Sequence, residues 1–517
     1  MTTHTTPAPA PRHALIRAWP TLAVAAGGAF VINLDQGGVP VANPRISDAL
    51  GASLADLQWI YNAYLLPVAV LLVSGGALAD RFGRRRILVF GLALFVAGSA
   101  GSALSQSTEQ LIAVRVVEGV GAALIVPATI AALRSAFSGR ALSMALGWWV
   151  AGAIGGAALG PIIAGALMVS WSWRSVFWSN IALGLVCLAV ALARVRSTEA
   201  PRAAEPLRGG WNLAVAVGLA ALVWGLIRAG SHGWSSIDAL GPIAGGLLVL
   251  VVVIRASGWI VEGRLGERAD IWRLSVGLGS IVLLLLGAVG AYFLLAFYLQ
   301  RGLGLSPLEA GVALLPQTAV AALLAPLAGR MIAAAGVGPM LAFAFAAELA
   351  ALLVLSRLDE SSTYLFLVPP MVLIAFALSI IPTASLLLVV GTAPPDRAGF
   401  LSGVQASSVY VGNVLSVAVT GSVVASTVAA RFDRALAARG LQPVEAADGT
   451  MLAQGVAPEV AGLKPLEQAA LEQATLDAFA SAVGSALLIG AGAAAVGLSL
   501  SLIWTLARRR ERALASR

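Results

Sequence analysis

Four ionisable residues stand where a charge is hardest to keep: Asp35, Arg115, Glu118 and Glu348 each lie inside a long apolar run. A charge in hydrocarbon is costly unless it is paired or wetted, so such residues are rare and mark ion or proton paths. Acids of this kind bind protons or cations, and one acid that takes either ligand couples the movements of both. Catalysis has much less to work with. His4, His13 and His232 all fall outside the apolar runs, which leaves no histidine-rich metal site and no Ser-His-Asp arrangement within them. Cys187 is the only cysteine, so neither an internal disulfide nor a cysteine-based metal site can form. Lys464 is the only lysine and no glycine-rich phosphate loop accompanies it, which gives ATP hydrolysis no apparatus. The expectation is a protein that is not an enzyme and has no metal or organic cofactor.

The elements that hold these residues are set by lipid. With 59% hydrophobic and 11% charged residues, the chain is too apolar for a water-soluble fold with a single core. Apolar runs recur near 20–41, 57–78, 87–104, 111–133, 142–169, 176–193, 213–227, 240–254, 276–299, 310–328, 340–355, 364–390, 401–424 and 479–506. At 1.5 Å per residue each crosses, or nearly crosses, about 30 Å of hydrocarbon, which predicts an all-α membrane protein with fourteen spans. Residues 1–11 are polar and lack a cleavable signal pattern, so the first span is expected to stay.

Assigning alternate connections to the cytoplasm sorts the arginines. One side collects Arg81, Arg84, Arg85, Arg86, Arg134, Arg140, the clusters at 194–208 and 255–273, Arg330, Arg397 and the tail at 508–512. The other holds Arg174, Arg228, Arg301, Arg357 and a few in the last long connection. That bias, better than about two to one, predicts a multi-pass inner-membrane protein with both termini cytoplasmic and an even number of crossings. It also accounts for the net charge of +8 without nucleic acid. The expected order is a cytoplasmic tail at 1–19, a six-helix bundle at 20–194 and a linker with two extra spans at 195–274. A second six-helix bundle follows at 275–507, containing an acidic outer connection at 425–477 with a surface helix at 466–479, and then a cytoplasmic tail at 508–517.

Four stretches carry spacing beyond hydropathy. The connection after the second span contains Gly76, Asp80, Arg81, Gly83, Arg84 and Arg85 and resembles the major facilitator superfamily signature G-x-L-x-D-R-x-G-R-[KR]. Arginines alone would serve equally as a topology anchor. The fourth span reads Arg115-Val116-Val117-Glu118-Gly119-Val120-Gly121, similar to R-x-x-Q-G-x-G with Glu118 in place of Gln. Three apart on one face, Arg115 and Glu118 could also simply neutralise each other. On the fifth span Gly156, Gly160, Pro161 and Gly165 resemble the antiporter pattern G-x-x-x-G-P-x-x-G-G, with Ala164 replacing one glycine; ordinary small-residue packing is the plainer reading. The first span, from Leu34 to Pro44, resembles the L-D-x-T-x-V-N-V-A-L-P of fourteen-helix drug:proton antiporters, departing from it at Gly37, Pro40 and Asn43. Its Gly-Gly-x-Pro stretch is expected to loosen or kink the helix near Asp35.

The resemblance implies a major facilitator fold: two six-helix bundles related by an axis along the membrane normal, here with two extra central helices. It implies a proton-coupled exporter of amphipathic, cationic drugs or antibiotics, driven by the proton gradient, whose partners are the substrate, protons and the bilayer, and which is monomeric. Asp80 and Arg81 would brace the outward-open state. Depth supports pairing across the first bundle. Asp35 lies roughly 22 Å above the inner end of its span and Arg115 roughly 7 Å below the outer end of its own, similar depths in about 30 Å of hydrocarbon. Asp35, Arg115 and Glu118 are therefore the expected proton and substrate coupling site. Glu348 divides evenly between a protonated structural residue and a functional one. Export of an endogenous metabolite or lipid, and a non-transporting sensor of the same fold, remain open alternatives.

Overall fold

Backbone polar groups have no water to bond to in hydrocarbon, so an apolar chain that crosses a bilayer satisfies them within helices. In the computed structural model, which describes residues 18–195, 209–265, 271–359, 361–392, 398–442, 449–458, 460 and 464–515, fourteen helices are long and apolar enough to cross a membrane. They are α1 Trp19–Leu50, α2 Leu54–Phe82, α3 Arg84–Leu104, α4 Thr108–Ala136, α5 Gly139–Ser170, α6 Ser175–Arg194, α7 Gly210–His232, α8 Ile237–Ala256, α9 Ile271–Gly302, α10 Pro307–Ala335, α11 Val337–Leu355, α12 Tyr364–Val390, α13 Leu401–Ala438 and α14 Pro465–Arg508. Arg196, Arg202, Arg208, Arg268, Arg397, Glu445, Asp448 and Glu459, with most of the expected first tail, lie outside the described residues.

Local chemistry sets the short turns. Ser53 and Asp56 form a reciprocal capping box at the start of α2, and Ser306 and Glu309 repeat it at the start of α10. Helix ends depart from the hydropathy boundaries where packing continues past the lipid. α1 runs as one helix through Gly37, Gly38, Pro40 and Pro44 to Leu50. α13 and α14 both extend into the expected 425–477 connection. The expected surface helix at 466–479 is the first part of α14, where Leu471, Ala474, Ala478 and Phe479 are buried.

α1 to α6 pack among themselves, as do α9 to α14, forming two halves; α7 packs against α8 and also against α2 and α13, straddling the seam between them. Only 11% of the apolar window of α8 is buried, so that helix stands outside the bundle. A trace of internal repetition lies in two glycines. Gly83 (φ 96°) opens α3 and Gly336 (φ 89°) opens α11, a backbone that L side chains rarely adopt. Each follows another glycine by seven residues, Gly76 and Gly329, but Val337 and Gly338 stand where the first half has Arg84 and Arg85.

The side-chain hydrogen bonds that tie the halves together cluster from mid-depth to the arginine-poor end. Arg301 pairs with Asp48, Gln454 Nε2 donates to the Ala52 carbonyl at 3.0 Å, and Gln300 Nε2 to the Val41 carbonyl at 2.9 Å. Deeper in, the Tyr292 hydroxyl donates to the Gly37 carbonyl at 2.9 Å. Gln58 Nε2 donates to the carbonyls of Val417 and Ala418 at 2.7 and 3.0 Å.

Candidate functional site

Asp35 on α1 and Arg115 and Glu118 on α4 meet inside the first half, all three with no solvent exposure. Arg115 Nη1 lies 2.8 Å from Asp35 Oδ2 and 2.9 Å from Glu118 Oε2, so one guanidinium nitrogen bridges both acids. Arg115 Nε donates to the Ile60 carbonyl at 3.2 Å, and the guanidinium sits 4.3 Å above the Tyr64 ring, a favourable cation–π arrangement when desolvated. Nη2 has no hydrogen-bond partner among the described residues. A buried guanidinium held on three sides with a donor unused is a fixed electrostatic feature with capacity for another ligand.

Two more helices complete the centre. Asn180 on α6 donates to Asp35 Oδ1 at 2.8 Å. On α3, the Ser99 hydroxyl donates to Glu118 Oε1 at 2.5 Å and the Ser102 hydroxyl to Oε2 at 3.4 Å. Asn180, Ser99, Ser102 and Tyr64 escaped sequence reasoning, because a neutral polar or aromatic residue in an apolar run costs little enough to be common. Asn180 had a weak signal, as the one amide in its span.

Close helix approach positions Asp35. A side-chain carbon at Gly156 would lie 2.1 Å from the Phe30 carbonyl oxygen, and one at Gly160 2.7 Å from that of Leu34. Gly37 and Gly38 face back onto α5, a Cβ at Gly37 falling 2.8 Å from the Ala157 carbonyl oxygen. The departures from the resembled first-span pattern thus include one that lets α1 and α5 interlock. On the same helix Pro161 and Gly165 turn toward the other half: a Cβ at Gly165 would meet the Pro307 carbonyl oxygen at 2.4 Å, and one at Gly311 that of Pro161 at 2.3 Å.

The remaining expected residues lie apart from this centre. Asp80 pairs with Arg84 at 3.4 Å, not with Arg81, whose guanidinium sits 5.6 Å from the Phe82 ring. Arg84 also reaches Ser135 at the end of α4, and Arg85 donates to the carbonyls of Ala191 and Leu192 at 3.3 and 2.5 Å. The motif therefore fastens α2, α3, α4 and α6 at the arginine-rich end. Its close-contact glycine is Gly75: a Cβ there would lie 2.6 Å from the Ala123 carbonyl oxygen, against 3.7 Å from Pro127 at Gly76. Glu348 on α11 is in the other half, buried against Gly287 of α9, and neither carboxyl oxygen has a hydrogen-bond partner among the described residues.

Comparison with known proteins decides the family. The sequence profile described as Major Facilitator Superfamily matches residues 25–417. The chain belongs to the Major Facilitator Superfamily. It is a multi-pass membrane transporter rather than an enzyme. This transporter is 34% identical over 508 residues to the tetracenomycin C resistance and export protein of Streptomyces glaucescens, covering 96% of this chain and 93% of that one. It is 30% identical to the methyl viologen resistance protein SmvA of Salmonella typhimurium over 96% of this chain and all of that one. The bacterial homolog of the human lysosomal transporter Spinster, in an inward-facing and unoccupied conformation, superposes with a TM-score of 0.62 at 19% identity, covering 94% of this transporter and 97% of that chain. That likeness establishes the shared fold.

Proposed function

We propose that this transporter is a proton-coupled exporter of amphipathic, cationic drugs or antibiotics, monomeric in the inner membrane, with the arginine-rich end and both termini in the cytoplasm. The reading is carried by one observation: two carboxylates and one guanidinium share a dry centre. With all three ionised, the centre keeps one uncompensated negative charge. Low-dielectric surroundings make that charge expensive, and a proton or a cationic substrate neutralises it. Because either ligand satisfies the same deficit, binding one disfavours the other, which is the linkage an antiporter needs. The proton gradient is then the only energy source required. Similarity to proteins named for antibiotic and methyl viologen resistance and for export supports the substrate class.

With the arginine-rich end in the cytoplasm, the bonds near Asp48, Ala52 and Arg301 lie at the outer face and join the halves there. Everted vesicles carrying the protein test the coupling. Adding a cationic amphipathic compound to acidified vesicles is expected to release protons from the lumen, and Asp35→Asn or Glu118→Gln to abolish that release. Proton release at the wild-type rate from the Asp35→Asn, Glu118→Gln double variant would overturn the proposal.

A further inference from the structure

One buried acid has no part in the charge centre. Asp35, Glu118 and Glu348 are the buried acids among the described residues. The first two share Arg115, whereas neither carboxyl oxygen of Glu348 has a hydrogen-bond partner among the described residues. A lone carboxylate in a dry site costs far more than a neutral carboxyl, so the group in this place holds a proton.

No described counter-charge faces it from α9, α10, α12 or α14, the helices packed against α11. Gly287 of α9 and Gly490 of α14 lie at its level. Along α9 the nearest titratable group is Tyr292, roughly 8 Å from Gly287, and its hydroxyl is turned to the Gly37 carbonyl of the first half. Along α14 it is Asp477, roughly 20 Å from Gly490. On α10, Glu309 and Arg330 are exposed, and on α12 the Tyr364 hydroxyl donates to the Ala313 carbonyl at 3.2 Å.

Part of the cover over the carboxyl is bare backbone. A Cβ at Gly287 would lie 2.7 Å from Glu348 Oε1, and one at Gly490 2.7 Å from the Gly287 Cα, so α9 meets both the acid and α14 without a side chain between. The same α9 carries bonds into the first half, from Tyr292 to Gly37, from Gln300 to Val41 and from Arg301 to Asp48. Alternating access parts that seam. A shift of α9 on its release lifts a glycine off Glu348 Oε1, which lets water reach the acid and the proton leave. We propose that Glu348 is a second proton-binding site, loaded while α9 is bonded across the seam and emptied when the seam parts. It rests on alternating access and not on the coupling read at Asp35 and Glu118.

Infrared spectroscopy of the full-length protein in lipid vesicles, without substrate, tests this through the carbonyl band of protonated carboxyl groups. The unaltered protein is expected to show such a band at neutral pH that Glu348→Gln lacks, and to lose it as the pH rises while the protein stays folded. Tyr292→Phe with Gln300→Leu removes two of the α9 bonds across the seam. Each tenfold gain in the parted arrangement is expected to lower the pH of loss by about one unit. If Glu348→Gln does not fold, Asp35→Asn, Arg115→Gln and Glu118→Gln together leave Glu348 as the only buried acid among the described residues, and the remaining band is its own. Identical bands in the unaltered protein and Glu348→Gln overturn the proposal. So does a band that neither pH nor the seam variant moves, which makes Glu348 a fixed structural acid. A pH-sensitive band that persists with the charge centre neutralised supports a separate site, whatever the outcome of substrate-driven proton release at Asp35 and Glu118.

Discussion

Arg115 is the counter-charge to two buried acids, Asp35 and Glu118, and the order of losses among these three residues follows from that. Removing one partner of a buried charged network leaves uncompensated charge and costs about 3–5 kcal/mol, more than the network itself is worth. Arg115→Gln is therefore expected to lower the melting temperature of the detergent-solubilised protein steeply. Adding Asp35→Asn and Glu118→Gln to it should restore much of the loss, since three neutral polar groups can bond without desolvated charge. A triple variant no more stable than Arg115→Gln would show that cation–π and backbone contacts, rather than charge balance, give Arg115 its importance. The three charged residues were legible in the sequence because a charge in an apolar run is costly and so conspicuous. Their neutral supports, Asn180, Ser99 and Ser102, were not, because hydroxyls and amides in membrane helices bond locally at little cost. Glu348 was equally conspicuous, yet in the other half it has no hydrogen-bond partner among the described residues, so a conspicuous charge identifies a candidate and only packing supplies its partners.

Helices here are positioned by what glycine omits. The two glycines before the arginine motif separate this effect from general flexibility, since a Cβ at Gly75 would strike the Ala123 carbonyl oxygen at 2.6 Å while one at Gly76 would make an ordinary contact at 3.7 Å. Overpacking a closely packed interface costs about 1–3 kcal/mol. Gly75→Ala is thus expected to destabilise the protein measurably and Gly76→Ala to be nearly neutral, compared by melting temperature. The same reasoning makes Gly156→Val, at 2.1 Å from the Phe30 carbonyl oxygen, expected to displace α1 and with it Asp35, abolishing transport of any substrate the unaltered protein exports. Counting spans from hydropathy succeeded because every crossing must be helical and apolar. Locating helix ends did not succeed at α1, α13 and α14, because hydropathy marks where lipid ends, while a helix continues as long as its own neighbours cover it. The interlock of α1 with α5 was readable only as small residues at suggestive spacing, since many membrane helices share that composition.

Alternating access needs a second arrangement of the two halves in which the arginine-poor seam parts, and the sequence is identical in both. Which of the two arrangements a structure shows is therefore beyond sequence reasoning. In this structure the seam at the arginine-poor end includes the partly exposed Arg301–Asp48 pair and the buried bonds from Gln58 to Val417 and Ala418. An exposed ion pair is worth up to about 1 kcal/mol and a buried hydrogen bond about 1 kcal/mol more. Asp48→Asn with Gln58→Leu should together shift the balance toward the opposite state by about 2 kcal/mol, roughly thirtyfold in population. The lone Cys187 makes this measurable, since Cys187→Ala gives a background without thiols. Val41→Cys then reports seam opening, because Val41 is fully buried and its carbonyl accepts the Gln300 bond across the seam. A membrane-impermeant maleimide applied to that end should label Val41→Cys slowly in the parent and many times faster once Asp48→Asn and Gln58→Leu are added. An unchanged labelling rate would mean that the interlocked backbones of α5 and α10, not these side chains, hold the face shut.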